Sequence, residues 1–295
     1  MLDFKIPGFS DKKWVDEILK NSGNLSCAYS FGTLYVWAQV FKTRIINLYG
    51  FYCAKYFGRN VGYIFPVGDG DIKSVIDKLI ADADSCGHDF RLYELTEKSK
   101  NLLEELYPGQ FRYEQNRDDF DYIYETENLI NLSGRKYHSK RNHISYFKNN
   151  YNWTFEPITE DNISECSAMN EKWLSENLEK DSDGILRESR AMKTALENFS
   201  QLGFTGGLLR VDGEVVAFTM GEELNDQIFC THFEKAFADV RGAYPTINRE
   251  FAANMLTKYK YINREEDAGD EGLRKAKLSY RPTILLEKSE AVLIR

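Results

Sequence analysis

The predicted strands and helices occur in the same order twice along the chain, and this repetition constrains the fold more than any other feature. In the first half we predict strands at residues 34–40, 44–49, 52–56, 62–65, 90–95 and 120–124. A helix should begin after Gly68-Asp-Gly-Asp71, because the apolar residues from Ile72 to Ile80 recur at helical spacing. A second helix, opened by Thr96-Glu97, should separate the last two strands.

The second half shows the same order after two helices, near residues 162–178 and 187–202. Strands at 204–211 and 214–222 are predicted to form a hairpin through Asp212-Gly213, and another strand spans 227–233. A helix at 243–259, with Pro245 in its first turn, precedes a strand at 261–263, a helix ending near 279 and a strand at 283–287. The pattern indicates an α/β (α+β) fold with tandem domains at 1–130 and 156–295. A basic helix within residues 131–155 would join them.

Composition narrows the class of protein. The 295 residues are 42% hydrophobic and carry a net charge of −8, which is typical of a globular chain with a substantial core. Five scattered cysteines without a C-x-x-C pair, and only four histidines, argue against a disulfide framework and predict no metal site. The apolar stretches are too short for a transmembrane segment, and no signal-peptide pattern opens the sequence. We therefore expect a reduced, cytoplasmic protein of undetermined oligomeric state.

Two runs without acidic residues stand out in this acidic chain, at 128–155 and 272–282. Such concentrated positive charge favours an anionic ligand such as a phosphate, a nucleic acid or a lipid headgroup. The candidate anion-binding or substrate-binding residues are Arg135, Lys136, Tyr137, His138, Lys140, Arg141, His143, Arg274, Lys275, Lys277 and Arg281. A solvated helix face is the alternative for the first run. For the second, the acidic segment 265–271 offers a structural ion network instead.

The burial expected in these runs also follows from helical spacing. Tyr137 belongs to the predicted apolar stripe of the basic helix, yet it is also the aromatic residue best placed for stacking on a ligand. In the second run we expect Leu273, Ala276 and Leu278 to be buried, with the basic side chains pointing to solvent or to an anion.

Four motifs carry a resemblance to a known family. They are residues 135–143, His232-Phe-Glu-Lys-Ala236, Gly242-Ala-Tyr244 with Asn248, and residues 272–280. The chain resembles bacterial proteins related to the C-terminal domain of phosphatidylglycerol lysyltransferases. That resemblance implies two tandem acetyltransferase-like (GNAT) domains with mixed sheets flanked by helices. The arrangement is similar to that of the Fem transferases, which use aminoacyl-tRNA.

The resemblance implies that the donor binds where two parallel strands separate, at the start of the next helix. Arg241, Gly242, Ala243 and Asn248 are then the predicted cofactor-binding residues. The bulky Tyr244 and Pro245, which lacks an N–H, depart from the usual coenzyme A loop. This departure favours a different donor, such as aminoacyl-tRNA or a carrier-bound acyl group, although acyl-CoA stays a candidate.

His232 and Glu234 could act as the base, since residues two apart share one face of a continuous strand. Tyr244 could protonate the leaving group. A histidine at a strand end also serves as a structural hydrogen-bonding residue, and that alternative stays open for His232. The first repeat lacks matching groups, so we expect it to be structural.

Two functions are consistent with these residues. The first is an acyltransferase (EC 2.3 type) that moves an acyl or aminoacyl group from an activated donor to an amine or hydroxyl acceptor. The second is a non-catalytic module that binds RNA or anionic lipid through the basic surface. Candidate partners are accordingly the acyl donor, tRNA and, through peripheral contact, an anionic lipid surface.

Overall fold

The computed structural model describes residues 1–58, 60–177 and 182–294 and divides into two compact units. The first comprises Met1–Asp121, Glu266–Glu271 and the segment from Leu285 onward, and the second comprises Tyr122–Glu265 and Gly272–Ile284. The chain thus returns to the first unit twice near its C-terminus. This division differs from the consecutive domains predicted from the sequence.

The first unit is built on a six-stranded sheet in the order β1-β2-β3-β4-β13-β5. Its strands are β1 (Arg44–Leu48), β2 (Phe51–Phe57), β3 (Val61–Ile64), β4 (Arg91–Leu95), β5 (Phe111–Gln115) and β13 (Ser289–Leu293), and its helices are α1 (Lys12–Asn21), α2 (Phe31–Phe41), α3 (Ile72–Cys86) and α4 (Glu97–Leu106). Helix α3 begins as predicted, since Asp71 caps it by accepting from the Ser74 amide. On its apolar face Val75, Ile76 and Leu79 are fully buried in the core, and Ile72 and Ile80 are partly buried against it. Strand β13 lies antiparallel between β4 and β5.

One predicted strand is wrong. Residues 34–40 lie in α2, where the Ser30 hydroxyl accepts from the Thr33 amide and caps the helix. The segment is apolar on nearly every side and has buried residues around its circumference, so periodicity alone does not separate helix from strand. Helix α1 and strands β5 and β13 of this unit were not predicted from the sequence.

The second unit contains a seven-stranded sheet in the order β12-β6-β11-β10-β9-β8-β7. Its strands are β6 (Asp121–Glu125), β7 (Trp153–Pro157), β8 (Thr205–Val211), β9 (Glu214–Asn225), β10 (Ile228–Ala236), β11 (Tyr261–Asn263) and β12 (Ile284–Leu286), and its helices are α5 (Thr126–Asn131), α6 (His138–Asn150), α7 (Ile163–Asn177), α8 (Ser182–Glu197), α9 (Phe199–Leu202), α10 (Ala243–Met255) and α11 (Glu271–Leu278). Residue 178, included in the predicted helix 162–178, lies outside the described residues. The predicted hairpin and the strand at 261–263 are confirmed.

The strands β10 and β11 place the candidate site. They run parallel, but they pair only from Ile228 and Tyr261 to Cys230 and Asn263. Strand β10 continues to Ala236, whereas β11 ends at Asn263. The two strands therefore stop pairing at this point. Side chains that follow the last paired residues of β10 and β11 can face each other there. None of the helices in the described part of the chain is long and apolar enough to span a membrane.

Candidate functional site

A largely buried ion pair lies where β10 and β11 diverge. One carboxylate oxygen of Glu234 on β10 accepts from Arg264 Nη2, directly after β11, at 2.8 Å. The other oxygen accepts from Asn248 Nδ2 on α10 at 3.2 Å. Both charged side chains are only 12% exposed. The pair thus joins both strands and the following helix at one point.

Two buried polar atoms beside this ion pair lack hydrogen-bond partners within the described residues. They are Asn248 Oδ1 and Arg264 Nη1. Asn248 is only 6% exposed, and a buried polar atom without a partner costs roughly 1–3 kcal/mol. One atom can only accept a hydrogen bond and the other can only donate. The arrangement therefore suits a ligand that supplies both a donor and an acceptor.

Lys140 on α6 lies close to the same group. Its Nζ lies 4.0 Å from the ring centroid of the buried Tyr280, and Arg264 Cζ lies 5.0 Å from that centroid. Burial lowers the pKa of Lys140 to about 8, with repulsion from Arg264 acting in the same direction and Glu234 opposing it. Lys140 therefore exchanges a proton nearer to neutral pH than an ordinary lysine does.

A cavity of about 220 Å³ opens at the first turn of α10, and Lys140 is part of its wall. The lining residues are Lys140, His143, Phe237, Ala238, Val240, Gly242, Ala243, Tyr244 and Pro245. Gly242 has a φ of 91°, and a Cβ built there would lie 2.4 Å from the carbonyl oxygen of His143. Glycine is thus required for α10 to begin in close contact with α6.

Tyr244 stands at the entrance of this cavity and is 38% exposed. Burial of its hydroxyl end raises the pKa of the phenol, and Glu234 adds to the increase, while hydrogen bonds from the Ala236 amide and the Trp173 indole oppose it. The phenol is therefore protonated at neutral pH and can donate. Trp173 lies in none of the motifs identified in the sequence, so its contact with Tyr244 was not predicted.

His232 lies in a separate group of contacts from Glu234. A register shift between Thr231 and Phe233 leaves His232 as the extra residue of a β-bulge. Its Nδ1 lies 2.7 Å from Glu265 Oε1 and its Nε2 lies 3.0 Å from Glu222 Oε1. Burial alone would lower the pKa of His232, but Cys230 and the two carboxylates hold it well above its usual value. An imidazolium held in this way is already protonated at neutral pH, which argues against the predicted role of His232 as a base.

The first basic run divides into exposed and structural residues. Arg135, Lys136, His138 and His143 are exposed on α6 and the turn before it. Arg141 instead donates through Nη1 to the carbonyl oxygens of Leu132 and Gly134. The prediction that Tyr137 stacks on a ligand is wrong, because its ring is 1% exposed and its hydroxyl donates to the Tyr280 carbonyl. Arg241 is exposed, with Cζ 4.1 Å from the ring centroid of Tyr146.

The second basic run is oriented differently from the prediction. Leu273 and Leu278 are 42% and 41% exposed, and Ala276 is exposed as well. Lys277 is buried and donates through Nζ to the Arg264 carbonyl at 2.6 Å. The ammonium group of Lys277 therefore binds the backbone at Arg264, and it is not directed towards a ligand. Lys275 and Arg281 are exposed and Arg274 is partly so.

Sequence reasoning missed Arg264 and Tyr280 as site residues. Arg264 follows a strand of only three residues, and its partner Glu234 lies 30 positions earlier. Its position directly after the predicted strand at 261–263 was the available signal, because side chains beyond the carboxyl ends of neighbouring parallel strands often meet.

The family model for the phosphatidylglycerol lysyltransferase C-terminal domain matches residues 20–291. An uncharacterised protein of Mycoplasmoides gallisepticum is 23% identical over 173 residues. That alignment covers 57% of this chain and 54% of the other, so the chain matches about half the length of this curated relative.

Solved structures resemble the whole chain. A conserved protein of unknown function from Bacteroides thetaiotaomicron is 40% identical, covers 100% of both chains and has a TM-score of 0.96. The structure of L-PGS from Bacillus licheniformis is 14% identical, with 99% and 94% coverage and a TM-score of 0.69. FemX is 9% identical, with 99% and 98% coverage and a TM-score of 0.64. The fold is the mixed α/β arrangement of tandem GNAT-like proteins. The chain belongs to the family of phosphatidylglycerol lysyltransferase C-terminal domains.

Proposed function

We propose that this chain is an acyltransferase that moves an aminoacyl group from an activated donor to an amine or hydroxyl acceptor. The observation that carries the proposal is the buried Glu234–Arg264 pair beyond the last paired residues of β10 and β11, with Asn248 Oδ1 and Arg264 Nη1 left without a hydrogen-bond partner among the residues that the structure describes. The family and the fold support the same class, since the similar solved structures include L-PGS and FemX.

Three side chains supply the chemistry of this transfer. The acceptor attacks the carbonyl carbon of the donor ester and gives its proton to the uncharged form of Lys140. This form is the minority at pH 7 and reaches half of the molecules at about pH 8, the pKa of Lys140. The carbonyl oxygen gains negative charge, which Arg264 Nη1 stabilises by donating a hydrogen bond. The carbon–oxygen bond to the leaving group breaks as Tyr244 donates a proton to it. Proton transfer from Lys140 to the Tyr244 phenolate then restores both groups.

The unpartnered atoms favour an aminoacyl donor over a simple acyl donor. An aminoacyl ester carries an ammonium group that can donate to Asn248 Oδ1, while its carbonyl oxygen accepts from Arg264 Nη1. The negative charge of Glu234 beside Asn248 favours that cation further. An acetyl group satisfies the arginine alone and leaves the amide oxygen without a partner. Pro245 also removes one amide from the helix start, where a coenzyme A pyrophosphate would bind.

A second candidate function is the non-catalytic binding of a polyanion. It is favoured by the exposure of Arg135, Lys136, His138 and His143 on one basic segment. Binding of this kind depends on phosphate contacts and weakens steeply with salt. It would be indifferent to whether an RNA carries an amino acid.

The test compares the affinity of the full chain for bacterial tRNA charged with amino acids, for the same tRNA uncharged, and for acetyl-CoA. We expect charged tRNA to bind more tightly than uncharged tRNA by about 10-fold or more, since the esterified amino acid gains charge-assisted hydrogen bonds. Glu234→Gln should remove this difference, whereas Glu214→Gln, an exposed residue of the same sheet, should preserve it. Equal affinity for charged and uncharged tRNA would support the polyanion-binding function instead. Tight binding of acetyl-CoA alone would contradict the proposed donor.

A further inference from the structure

Three potential metal ligands meet in the second unit. They are Cys230 and His232 on β10 and Glu265, which follows Arg264. The sulfur, one imidazole nitrogen and one carboxylate oxygen all lie within 4.8 Å of one another. Cys230 is fully buried and His232 is 9% exposed.

We propose that Cys230, His232 and Glu265 bind a divalent transition-metal ion of the zinc class. Thiolate, imidazole and carboxylate are the three ligand types that zinc takes in proteins, at about 2.0–2.3 Å. Three protein ligands leave the fourth position of a tetrahedral ion to solvent. The Glu265 side chain is 19% exposed and gives the ion its path to solvent.

The distances fit this ligand set after a small adjustment. Tetrahedral coordination at those bond lengths separates neighbouring ligand atoms by roughly 3.3–3.7 Å. The distance from Cys230 Sγ to Glu265 Oε1 is 3.9 Å, close to that range. His232 Nδ1 and Glu265 Oε1 are 2.7 Å apart and must separate by about 0.6 Å, which a side-chain rotation provides. Binding displaces the thiol and imidazolium protons to solvent, so a dication replaces two protons and the net charge of the cluster is unchanged.

Glu222 provides a feature typical of metal-bound histidines. Its Oε1 lies 3.0 Å from His232 Nε2, on the side of the ring opposite to Glu265. Metal-binding imidazoles usually donate their other N–H to a carboxylate, which fixes the ring and makes it a stronger ligand. Glu222 is therefore a positioning residue for the metal ligand His232.

A second cluster, in the first unit, shows why this one is the better candidate. Cys27, Asp121 and Glu266 also lie within ligand distance of one another. Lys288 Nζ, however, lies 2.9 Å from Asp121 Oδ1, so an ammonium group already pairs with one of these carboxylates. The cluster also lacks a histidine.

The proposed ion would act on the candidate site through the backbone. Two of its ligands lie on β10, two and four residues before Glu234, and the third directly follows Arg264. Binding would therefore hold the segment after β11 against β10 beside the Glu234–Arg264 pair. This role is independent of which donor the site accepts.

The experiment loads the full-length protein, freed of metal by a chelator, with cobalt(II) and then with zinc. We expect uptake of one equivalent and a sulfur-to-cobalt charge-transfer absorption. This absorption reports a cysteine ligand directly, and it is measured on the wild-type protein. Absence of that absorption, with no stoichiometric zinc uptake, would overturn the proposal.

Variants locate the ion. Cys230→Ser and His232→Gln should abolish stoichiometric uptake, and Glu222→Gln should weaken zinc binding by about 10- to 100-fold. Cys166→Ser is the matched control, because Cys166 is equally buried in the same unit but lies outside the cluster. Uptake that survives Cys230→Ser and is lost in Cys27→Ser would assign the metal to the other cluster and refute the proposal.

Discussion

Replacement of Lys140 by methionine is expected to stabilise the protein at neutral pH and to remove a pH dependence. The pKa of Lys140 is about 8 in the folded protein, against 10.5 for an ordinary lysine. The unfolded chain therefore binds more protons between these values, so this lysine makes the free energy of unfolding rise as pH increases from about 8 to 10.5. Below pH 8 the buried charge costs about 3 kcal/mol.

Methionine keeps the side chain unbranched and only one heavy atom shorter, and it removes the charge. The contact between Lys140 and Tyr280 offsets about 1 kcal/mol of the cost, so Lys140→Met should gain about 2 kcal/mol near pH 7. The advantage over wild type should shrink by roughly 2.5 kcal/mol between about pH 7 and pH 10.

The assay is urea unfolding of wild type and variant across this pH range. The difference between the two proteins isolates Lys140 from other groups that titrate. Lys136→Met serves as the control, since Lys136 is exposed in the same basic segment and should show no such trend. A difference between wild type and Lys140→Met that stays constant with pH would refute the assigned burial of the charge.

Two further substitutions test the packing and the charge of the site. Gly242→Ala should cost about 2–4 kcal/mol, because its φ is 91° and the new Cβ meets the His143 carbonyl oxygen. Gly213→Ala has the same φ but open space, so it should cost only about 1–2 kcal/mol; equal losses in chemical unfolding would show that the close contact is unimportant. Glu234→Gln removes the counter-charge of Arg264 and should lower the free energy of unfolding by about 3 kcal/mol, which a thermal melt would detect. An unchanged melting temperature would show that the pair is not buried in solution.

Local chemistry accounts for the parts of the fold that the sequence predicted. Asp212-Gly213 specifies a tight turn between alternating strands, and Pro245 suits the first turn of α10. The pairing of β13 with β4 and β5 was not predictable in the same way, because its partners lie about 175 to 200 residues earlier and no local pattern encodes them. The strand predicted at residues 34–40 was wrong for another reason, since a segment that is apolar at nearly every position satisfies both periodicities.

The same distinction applies to the site. Asn248 and Glu234 were predicted from motifs. Arg264 was identified only from the structure, because its role depends on where the pairing of β10 and β11 ends. The face of α11 was predicted incorrectly, since a short helix with charged residues throughout has no clear apolar side. Lys277 is buried there because a backbone carbonyl receives its ammonium group.

Recognition of the donor's amino group is tested with two donors that differ only at that group. Aminoacyl-tRNA and the same tRNA with its α-amino group acetylated are titrated into wild type and Asn248→Ala. We predict that wild type binds the free-amino donor at least about 10-fold more tightly, because the ammonium group donates to Asn248 Oδ1 beside Glu234. Asn248→Ala should lose most of this preference. Equal wild-type affinity for the two donors would contradict recognition of an aminoacyl group at this site.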